Sequence, residues 1–305
     1  MNYGSPCAGQ GHETVAAQVV ADELHVPIDR IRIQQIFDSQ TSPWTSRSGL
    51  YSDKFCNLDL GAIIDAAREL KEKLLSLASK SLKLPSTDLT LSDGFVISRS
   101  SEVSKISFGE LATANGGKIV AEGYYEVFDS RELDDQGTAC KTHLTFANGA
   151  HAALVEVDLE TGSVRVLKYV AVQDCGTVLN PVIAEGQIHG ATLHGIAASL
   201  LEEYSYDDEG HLLNSTYNDY LAQTAKDAPS VEVILKSTPS PFTALGAKGI
   251  GDVAAILPPA TISSAVEDAL SHLRIAVDEL PIKPDRLHKC IRSAMLAKPN
   301  SQTLG

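Results

Sequence analysis

The chain has 305 residues, of which 43% are hydrophobic and 21% charged, and its net charge at pH 7 is -14. This composition is typical of a globular protein that buries a substantial core in one large or two smaller domains. The acidic balance argues against nucleic acid and anionic membranes as partners, because both attract basic surfaces. No apolar run in the sequence reaches the roughly 18 residues of a membrane span, and residues 1–7 lack the features of a signal peptide.

The five cysteines are dispersed and form no Cys-x-x-Cys pair. This usage predicts reduced thiols in a cytoplasmic compartment and offers no iron–sulfur or structural zinc pattern. The nine histidines contain no His-Glu-x-x-His motif. We therefore expect no metal that is ligated directly by protein side chains.

The first predicted element opens at a glycine-rich turn, Gly9-Gln-Gly-His-Glu-Thr14. The amphipathic segment that follows predicts a helix ending near Pro27. Free N–H groups at a helix N-terminus make such a turn a candidate anion site. The turn matches a dinucleotide fingerprint poorly, since a third glycine and a complete preceding strand are missing. We expect another chain to complete this site.

The rest of the first half predicts strands, loops and one long helix. The predicted strands are Ile31–Phe37, Gly94–Ile97 and Lys118–Val127. The predicted helices are Leu60–Lys80, with Asn57 or Asp59 as its cap, and a short turn at Phe108–Leu111. Residues 38–54, which hold the only tryptophan, and Asp129–Thr138 are predicted as a loop and a polar linker.

The second half begins with a predicted hairpin, in which His151–Val157 and Val164–Val172 flank Glu160-Thr-Gly162. A helix follows that contains Gly186, Gly190 and Gly195. Each glycine costs a helix about 1 kcal/mol relative to alanine, which indicates close approach of a ligand or of another backbone. Tight helix packing explains the glycines equally well, but it explains Gln187 less well.

Another glycine-rich stretch, Gly246-Ala-Lys-Gly-Ile-Gly-Asp252, follows a predicted strand at Val231–Leu235. We predict helices after it at about 260–272 and 284–297, and a frayed tail at 298–305. A glycine-rich turn between a strand and a helix allows the backbone to approach a bound group closely. A solvated surface loop is an equally good interpretation of this stretch alone.

Four motifs occur together in order along the chain: Gly9–Thr14, Asp174-Cys-Gly-x-x-x-Asn-Pro181, Gly186-Gln-Ile-His-Gly190 and Gly246–Asp252. In this order they resemble the molybdenum hydroxylases, the xanthine dehydrogenase and aldehyde oxidase family. The resemblance covers nearly the whole chain and is to the C-terminal half of the molybdopterin-binding large subunit. It implies an α+β fold of two related mixed α/β subdomains, at 1–140 and 141–305, the second carrying an active-site carboxylate.

The resemblance also implies which residues hold the cofactor, which would be molybdopterin, with the cytosine dinucleotide form as one option. Gln10 would hydrogen-bond the pyranopterin, and Gln187 would be a second contact. Residues 52–54 resemble a serine-containing loop that holds the pterin or phosphate end of the cofactor, although they depart from the family's Ser-Arg-Ser-Thr motif. The implied cofactor-binding residues are Gly9, Gln10, Gly11, Ser52, Gln187, Lys248, Gly249 and Gly251.

Asp252 takes the place where the family has a glutamate that acts as general base. Aspartate has the same chemistry on a stem that is shorter by one methylene. A displacement near 1 Å can cost on the order of 100-fold in rate. Asp252 is therefore either a repositioned base or the mark of weakened or different chemistry.

The function that the resemblance implies is that of a cytoplasmic molybdenum hydroxylase, which oxidises an aromatic N-heterocycle or an aldehyde with water as oxygen donor. The implied partners are the N-terminal half of the large subunit as a separate chain, an FAD subunit and a 2Fe–2S subunit, in a dimer of the heteromeric complex. A non-catalytic assembly subunit, or a truncated fragment with an impaired base, is the alternative. A nucleotide-binding α/β domain is a weaker interpretation, because a full phosphate-binding fingerprint is missing.

Overall fold

A computed structural model describes residues 1–5, 7–34, 40, 51–101, 104–126, 135–136 and 145–297 of the chain. The chain divides into two compact units, one formed by 1–146 with 239–249 and the other by 147–238 with 250–305. Segment 239–249 thus belongs to the first unit although it lies late in the sequence. Within the described residues, no helix is both long and apolar enough to cross a membrane. The roles we assigned to two subdomains divided at residue 140 stay a prediction.

The first unit contains two long helices that pack against each other and a three-stranded antiparallel sheet of order β1-β2-β3. Its elements are α1 (His12–Leu24), α2 (Ser52–Lys54), α3 (Leu60–Leu82), β1 (Leu89–Ser92), β2 (Phe95–Ser98), β3 (Lys105–Ser107) and α4 (Phe108–Ala114). Helix α3 buries one apolar face that includes Ile63, Ala67 and Leu74, as its periodicity predicts. A capping box between Ser107 and Glu110 starts α4.

The start of α3 differs from the prediction. Helical geometry runs without a break from α2 through a π-helical turn at Phe55–Asp59, and Asp59 makes no capping hydrogen bond. Because the helical run begins at Ser52, the first-turn N–H groups are not at residue 60, and the predicted cap is wrong. Residues 52–54 are likewise helix rather than loop.

Two of the predicted strands in the first unit are not strands where the structure describes them. In residues 31–34 the Gln34 N–H donates to the Met1 carbonyl instead of to a sheet. In residues 118–126 the N–H groups of Glu122 and Tyr124 donate to carboxylates on α3. Residues 35–37 and 127, most of the loop before residue 51, most of the predicted linker and the tail lie outside the described residues.

The second unit is a three-stranded sheet covered by helices. Its elements are β4 (Asn148–Val157), β5 (Val164–Asp174), α5 (Pro181–Leu200), β6 (Val231–Lys236), α6 (Gly251–Ala269) and α7 (Pro284–Ala297). Strand β4 pairs with β5 in antiparallel orientation, as the predicted hairpin requires, and β6 pairs with β5 in parallel. Helix α6 packs on β4 and on α5. The core between them is apolar and includes Tyr169, Ile188, Ile196, Ala254, Ile262 and Val266.

Helix α6 starts at Gly251, about nine residues before the predicted start, and contains Pro258 and Pro259 in its interior. Proline lacks an N–H donor and normally breaks a helix, which is why the sequence pattern pointed to a start after the prolines. The Ala255 carbonyl therefore has no i+4 N–H donor within α6. Gly195 of α5 lies against that carbonyl, since a Cβ built there would be 2.5 Å from the Ala255 oxygen. The packing of α5 thus accommodates the irregular middle of α6.

Candidate functional site

The glycine-rich turn before α1 has the backbone that its sequence demands. Gly9 and Gly11 have φ angles of 114° and 74°, which L side chains rarely adopt, and Gly11 is the N-cap of α1. A Cβ added at Gly9 would meet no atom within 4 Å, so the space beside the turn is open. Gln10 closes the turn, because its Oε1 accepts the Ala8 N–H at 2.8 Å. The turn therefore offers an exposed backbone next to the N-terminus of a 13-residue helix.

His12, the first residue of α1, links this turn to α2. Its Nε2 lies 3.1 Å from the Ser52 hydroxyl, and its ring stacks on Phe55 with the centroids 4.3 Å apart. The ring is 3% exposed, and its Nδ1 is buried without a hydrogen-bond partner. Burial lowers the pKa of His12 to about 4, against the opposing charge of Glu13, so the imidazole is neutral near pH 7.

A second contact brings segment 239–249 to α2, the helix that carries Ser52. A Cβ added at Gly249 would lie 1.9 Å from Asp53 Oδ1 and 2.8 Å from the Asp53 nitrogen, so only glycine fits at this position. Within the segment, the Thr243 hydroxyl donates to the Ala247 carbonyl at 2.7 Å. The first unit thus joins three predicted cofactor-binding regions, 9–11, 52 and 249, through His12 and Asp53. Lys248 is half-buried beside Gly249.

The remaining predicted residues belong to the second unit. Gln187 is half-buried on α5, between Gly186 and Gly190, which are both exposed and have no atom within 4 Å of an added Cβ. Close approach within the described chain therefore explains Gly195 but not these two glycines. Gly251 also has open space beside it.

Asp252 is the second residue of α6, and it is exposed. The positive end of a helix dipole stabilises a carboxylate in the first turn, typically by 0.3–1 kcal/mol at roughly this degree of exposure. The side chain therefore lies at a helix N-terminus, the end of a helix that favours negative charge. That placement is compatible with the predicted role of a base and does not test it.

Side chains of the Asp174–Pro181 motif form hydrogen bonds that connect β5, the segment after β6 and the start of α5. The Asp174 carboxylate accepts the N–H groups of Gly176 and Thr238, at 2.9 and 3.0 Å, and so ties the end of β5 to the chain that leaves β6. Asn180 caps α5 by accepting the Ile183 N–H at 3.0 Å. These bonds set the direction in which α5 presents Gln187.

The described residues include one group with the spacing of a metal site, Asp207, Glu209 and His211 on an exposed turn. The Asp207 carboxylate accepts the backbone N–H groups of Glu209 and His211 at 2.9 and 2.8 Å. Turn geometry accounts for the cluster without an ion. The absence of a metal that is ligated by protein side chains stays a prediction.

The residues around the first turn fit a neutral or anionic group rich in hydrogen-bond acceptors. Three features support this fit: the open space at Gly9, the start of α1, where no side chain makes a capping hydrogen bond, and the buried, neutral His12. His12 was not among the predicted site residues, although it lies inside the glycine-rich motif Gly9–Thr14. A histidine between a turn and a helix carries no periodic signal that would distinguish it from an ordinary helix-start residue.

Comparison with known proteins gives a consistent family. Residues 1–229 match the model of the molybdopterin cofactor-binding domain. The nicotine 6-hydroxylase large subunit of Paenarthrobacter nicotinovorans is 35% identical over 92% of this chain, and the carbon monoxide dehydrogenase large chain of Afipia carboxidovorans is 30% identical over 94%. The chain spans 34% of the length of each of these relatives.

Comparison with solved structures identifies the same family. Quinoline 2-oxidoreductase from Pseudomonas putida 86 superposes with a TM-score of 0.76 at 35% identity, over 94% of this chain and 36% of that one. The predicted α+β fold and the predicted family are therefore confirmed. Since one family model matches most of the sequence and these relatives match nearly all of it, the chain belongs to the molybdopterin cofactor-binding domain family of the molybdenum hydroxylases.

Proposed function

We propose that this chain is the molybdopterin-binding part of a molybdenum hydroxylase that oxidises an aromatic N-heterocycle with water as oxygen donor. The observation that carries the proposal is the grouping of residues 9–11, 52 and 249 in the first unit. His12 and Asp53 hold these segments together while the backbone beside Gly9 stays open. A solvated surface turn would not need a buried histidine and a glycine-only contact to fix it.

The names of the relatives support an N-heterocycle over an aldehyde. Two proteins at 35% identity are named for nicotine and for quinoline, which are both aromatic N-heterocycles. A relative at 30% identity is named for carbon monoxide, so the binding domain alone does not fix the substrate. We retain the heterocycle as the first substrate class to test and an aldehyde as the second.

The chain's own residues would act in two ways. Gln10, Ser52, Gln187 and the backbone of Gly9 and Gly11 would bind and orient the cofactor. Lys248, Gly249 and Gly251 would shape the segment beside it. Asp252 would accept a proton from the water that supplies oxygen, which requires only an ionised carboxylate within hydrogen-bonding reach. When bound, the cofactor supplies a redox-active metal that activates water.

The rest of the enzyme would come from partner chains in the cytoplasm. We propose a separate chain equivalent to the remaining part of the large subunit, together with FAD and 2Fe–2S subunits, in a dimer of the whole complex. The relatives support this assembly, because one is named as a subunit of a dehydrogenase complex. The net charge of -14 is compatible with such partners and gives no support for nucleic acid.

Co-expression with these partner chains, followed by analysis of molybdenum and pterin in the purified complex, tests the proposal. We expect about one molybdenum for each copy of this chain, and turnover of an N-heterocycle from a substrate panel. A complex that assembles without molybdenum or pterin contradicts the proposal. Replacing Asp252 by alanine should abolish turnover and leave the molybdenum content intact, whereas unchanged turnover rules out the base role.

A non-catalytic assembly subunit is the second candidate, and the aspartate at position 252 favours it. The variant Asp252→Glu separates the two candidates, because glutamate restores the length of the family's base. If the shorter stem misplaces a working base, Asp252→Glu should raise turnover by about tenfold or more. A loaded complex that is inactive with either residue at position 252 supports the assembly role.

A further inference from the structure

Residues 201–230, which connect α5 to β6, bring apolar side chains to the surface of the second unit. The segment contains no helix or strand, and loops longer than about 12–15 residues without secondary structure are uncommon and often functional. Its exposed large side chains include Tyr204, Tyr206, Leu213, Tyr217 and Leu221, with exposed fractions from 57% to 87%. Single apolar residues at a surface are ordinary, whereas a contiguous group of them marks an interaction site.

Four of the apolar side chains in this segment form a continuous surface. Tyr206 and Leu212 pair across a short antiparallel hairpin. Backbone hydrogen bonds lie on both sides of this pair and not within it, which is the arrangement that brings two side chains close together. Tyr204 is two residues from Tyr206 on the same arm, so both rings lie on one face of the hairpin. The Tyr204 ring also contacts Tyr220, with the centroids 5.0 Å apart. We call Tyr204, Tyr206, Leu212 and Tyr220 the tyrosine patch.

The base of the hairpin is fixed to the start of α7. Glu203 forms ion pairs with Lys283 and, at 2.7 Å, with Arg286. The Asn214 side chain joins the two arms, because it donates to the Glu203 carbonyl and accepts the Ser205 N–H at 3.0 Å. The tyrosine patch is therefore held in place by charged and polar contacts beneath it. A surface that is already ordered loses less conformational entropy when it binds a partner.

The border of the tyrosine patch is acidic. Residues 202–219 contain no lysine or arginine, and Asp207, Asp208 and Glu209 form the turn of the hairpin. His211, the one residue of this stretch that can take up a positive charge, already lies 3.0 Å from Asp207 and 3.6 Å from Glu209. A complementary surface would place lysine or arginine around an apolar centre, because opposite charges favour association and a cation binds well over a tyrosine ring.

The same charges disfavour a second copy of this chain as the partner. In a two-fold symmetric dimer the same patch of each protomer faces the other, so the acidic turns would repel. The relatives indicate a different neighbour. This chain spans 34% of the length of the nicotine 6-hydroxylase large subunit and of the carbon monoxide dehydrogenase large chain. Most of each relative therefore lies outside the matching part and is available to cover it.

We propose that the tyrosine patch is the surface on which the remaining part of the large subunit docks, through an apolar surface bordered by lysine or arginine. The identity of this partner rests on the proposed function, in which a separate chain supplies that part. The tyrosine rings anchor the partner, since tyrosine is enriched among the residues that dominate binding energy. The acidic turn guides its approach.

Binding of the full chain to the separately purified partner chain tests the patch. Tyr206→Ser removes a ring that is 59% exposed, and Tyr124→Ser is the matched control, since Tyr124 is 76% exposed in the first unit. Isothermal titration should show that Tyr206→Ser raises the Kd by about tenfold or more, whereas Tyr124→Ser leaves it unchanged. An unchanged Kd in Tyr206→Ser, or an equal rise in both variants, overturns the proposal.

Hydrogen exchange of the wild-type chain maps the contact without any substitution, and it decides the matter if Tyr206→Ser unfolds more easily than the wild type. Addition of the partner chain should slow exchange in residues 203–221 severalfold. Exchange there that is unchanged by the partner overturns the proposal. Exchange that is already slow in the free chain also overturns it, because another part of this chain or a second copy would then cover the patch.

Salt dependence tests the charge of the partner's border. Raising the salt concentration to roughly 0.5 M should weaken binding of the wild type severalfold, because salt screens exposed charges. Asp208→Asn should reduce this dependence, and Glu160→Gln, a change at an exposed turn in the same unit, should not. Binding that is insensitive to salt contradicts a basic border.

The outcomes separate this inference from the proposed function. Full assembly of Tyr206→Ser with the partner chain overturns the inference and leaves the proposed function intact. A complex that depends on the tyrosine patch but contains no molybdenum or pterin contradicts the proposed function and leaves the docking surface intact. Sedimentation of the free chain completes the test, since a dimer that Tyr206→Ser dissociates would show that a second copy occupies the patch and would overturn the inference.

Discussion

The Nε2 of His12 lies 3.1 Å from the hydroxyl of Ser52, 40 residues further along the chain. One residue starts α1 after the glycine-rich turn, and the other starts α2. The hydrogen bond therefore joins two segments that the family resemblance separately implies to be cofactor-binding. Since His12 is almost fully buried, few alternative partners are available to its ring.

Ser52→Ala should destabilise the first unit. Without the hydroxyl, both ring nitrogens of His12 lack a partner in a buried site, which costs about 1–3 kcal/mol. Urea unfolding of the full chain, followed by a signal from the first unit, measures the change. Ser92→Ala is the control, because Ser92 is exposed at the end of β1. Equal stability of the two variants would contradict the importance of the bond.

Gly249→Ala should separate segment 239–249 from α2. The added Cβ would overlap the Asp53 carboxylate, which can rotate, and also the Asp53 nitrogen at 2.8 Å, which cannot. Such overpacking costs about 1–3 kcal/mol. Limited proteolysis should cut the variant within 239–249 faster than the wild type. In the control Gly109→Ala the nearest atom is 4.0 Å away, so its cleavage rate should not change.

The sequence predicted the elements whose signal is local. The face of α3 that includes Ile63, Ala67 and Leu74 repeats with helical periodicity, and the hairpin of β4 and β5 alternates around its turn. Residues 118–126 also alternate, but carboxylates on α3 bind their N–H groups. Alternation reports two faces and does not reveal which partner accepts the backbone bonds. That partner is a tertiary feature.

The candidate site was likewise predictable only where its signal is local. The glycine motifs predicted the turn at 9–11, where positive φ angles favour glycine. They also predicted Gly249, where the close approach of Asp53 leaves no room for a side chain. The contacts of His12 and the hydrogen bonds of His151 with Gln173 and Tyr169 were missed, because they depend on burial and on partners that are distant in sequence. The start of α6 was missed because Pro258 and Pro259 are helix breakers by local rules. Packing of Gly195 on Ala255 overrides that rule in the folded unit.

The free energy of unfolding of the second unit should fall as the pH is lowered from 6.5 towards 4, because of His151. Burial lowers the pKa of this histidine from 6.5 to about 4. Between these values the unfolded chain takes up a proton that the folded unit does not, so unfolding becomes easier as pH falls. The expected slope is about 1.4 kcal/mol per pH unit. His151→Asn removes the group and should flatten the slope.

Urea unfolding of wild type and His151→Asn at pH 7, 6 and 5 measures this contribution. Carboxylates elsewhere titrate in both proteins and cancel in the difference. The stability advantage of the wild type should therefore shrink as the pH falls from 6.5 towards 4. A constant difference across this range would show that His151 is as easily protonated in the folded unit as in the unfolded chain.

Alanine substitutions at the three glycines of α5 should change stability in different directions, with a loss at Gly195 and a gain at Gly186 and Gly190. An alanine Cβ at Gly195 would lie 2.5 Å from the Ala255 oxygen and 2.7 Å from Pro258, so Gly195→Ala should cost about 1–3 kcal/mol. Gly186 and Gly190 have open space, and alanine there should stabilise the free chain by roughly 0.5–1 kcal/mol each. Thermal unfolding of the three variants measures both effects. A loss of stability in Gly190→Ala would contradict the open face around Gln187.

The same variants show whether that open face binds the cofactor. A helix keeps glycine on an exposed surface at a cost in stability, which is expected where a bound group must approach the backbone closely. Gly190→Ala should therefore raise the stability of the free chain and lower the molybdenum and pterin content of the assembled complex. Gly186→Ala serves as the neighbouring comparison on the other side of Gln187. Full cofactor content in both variants would show that the glycines beside Gln187 are not needed for a bound cofactor.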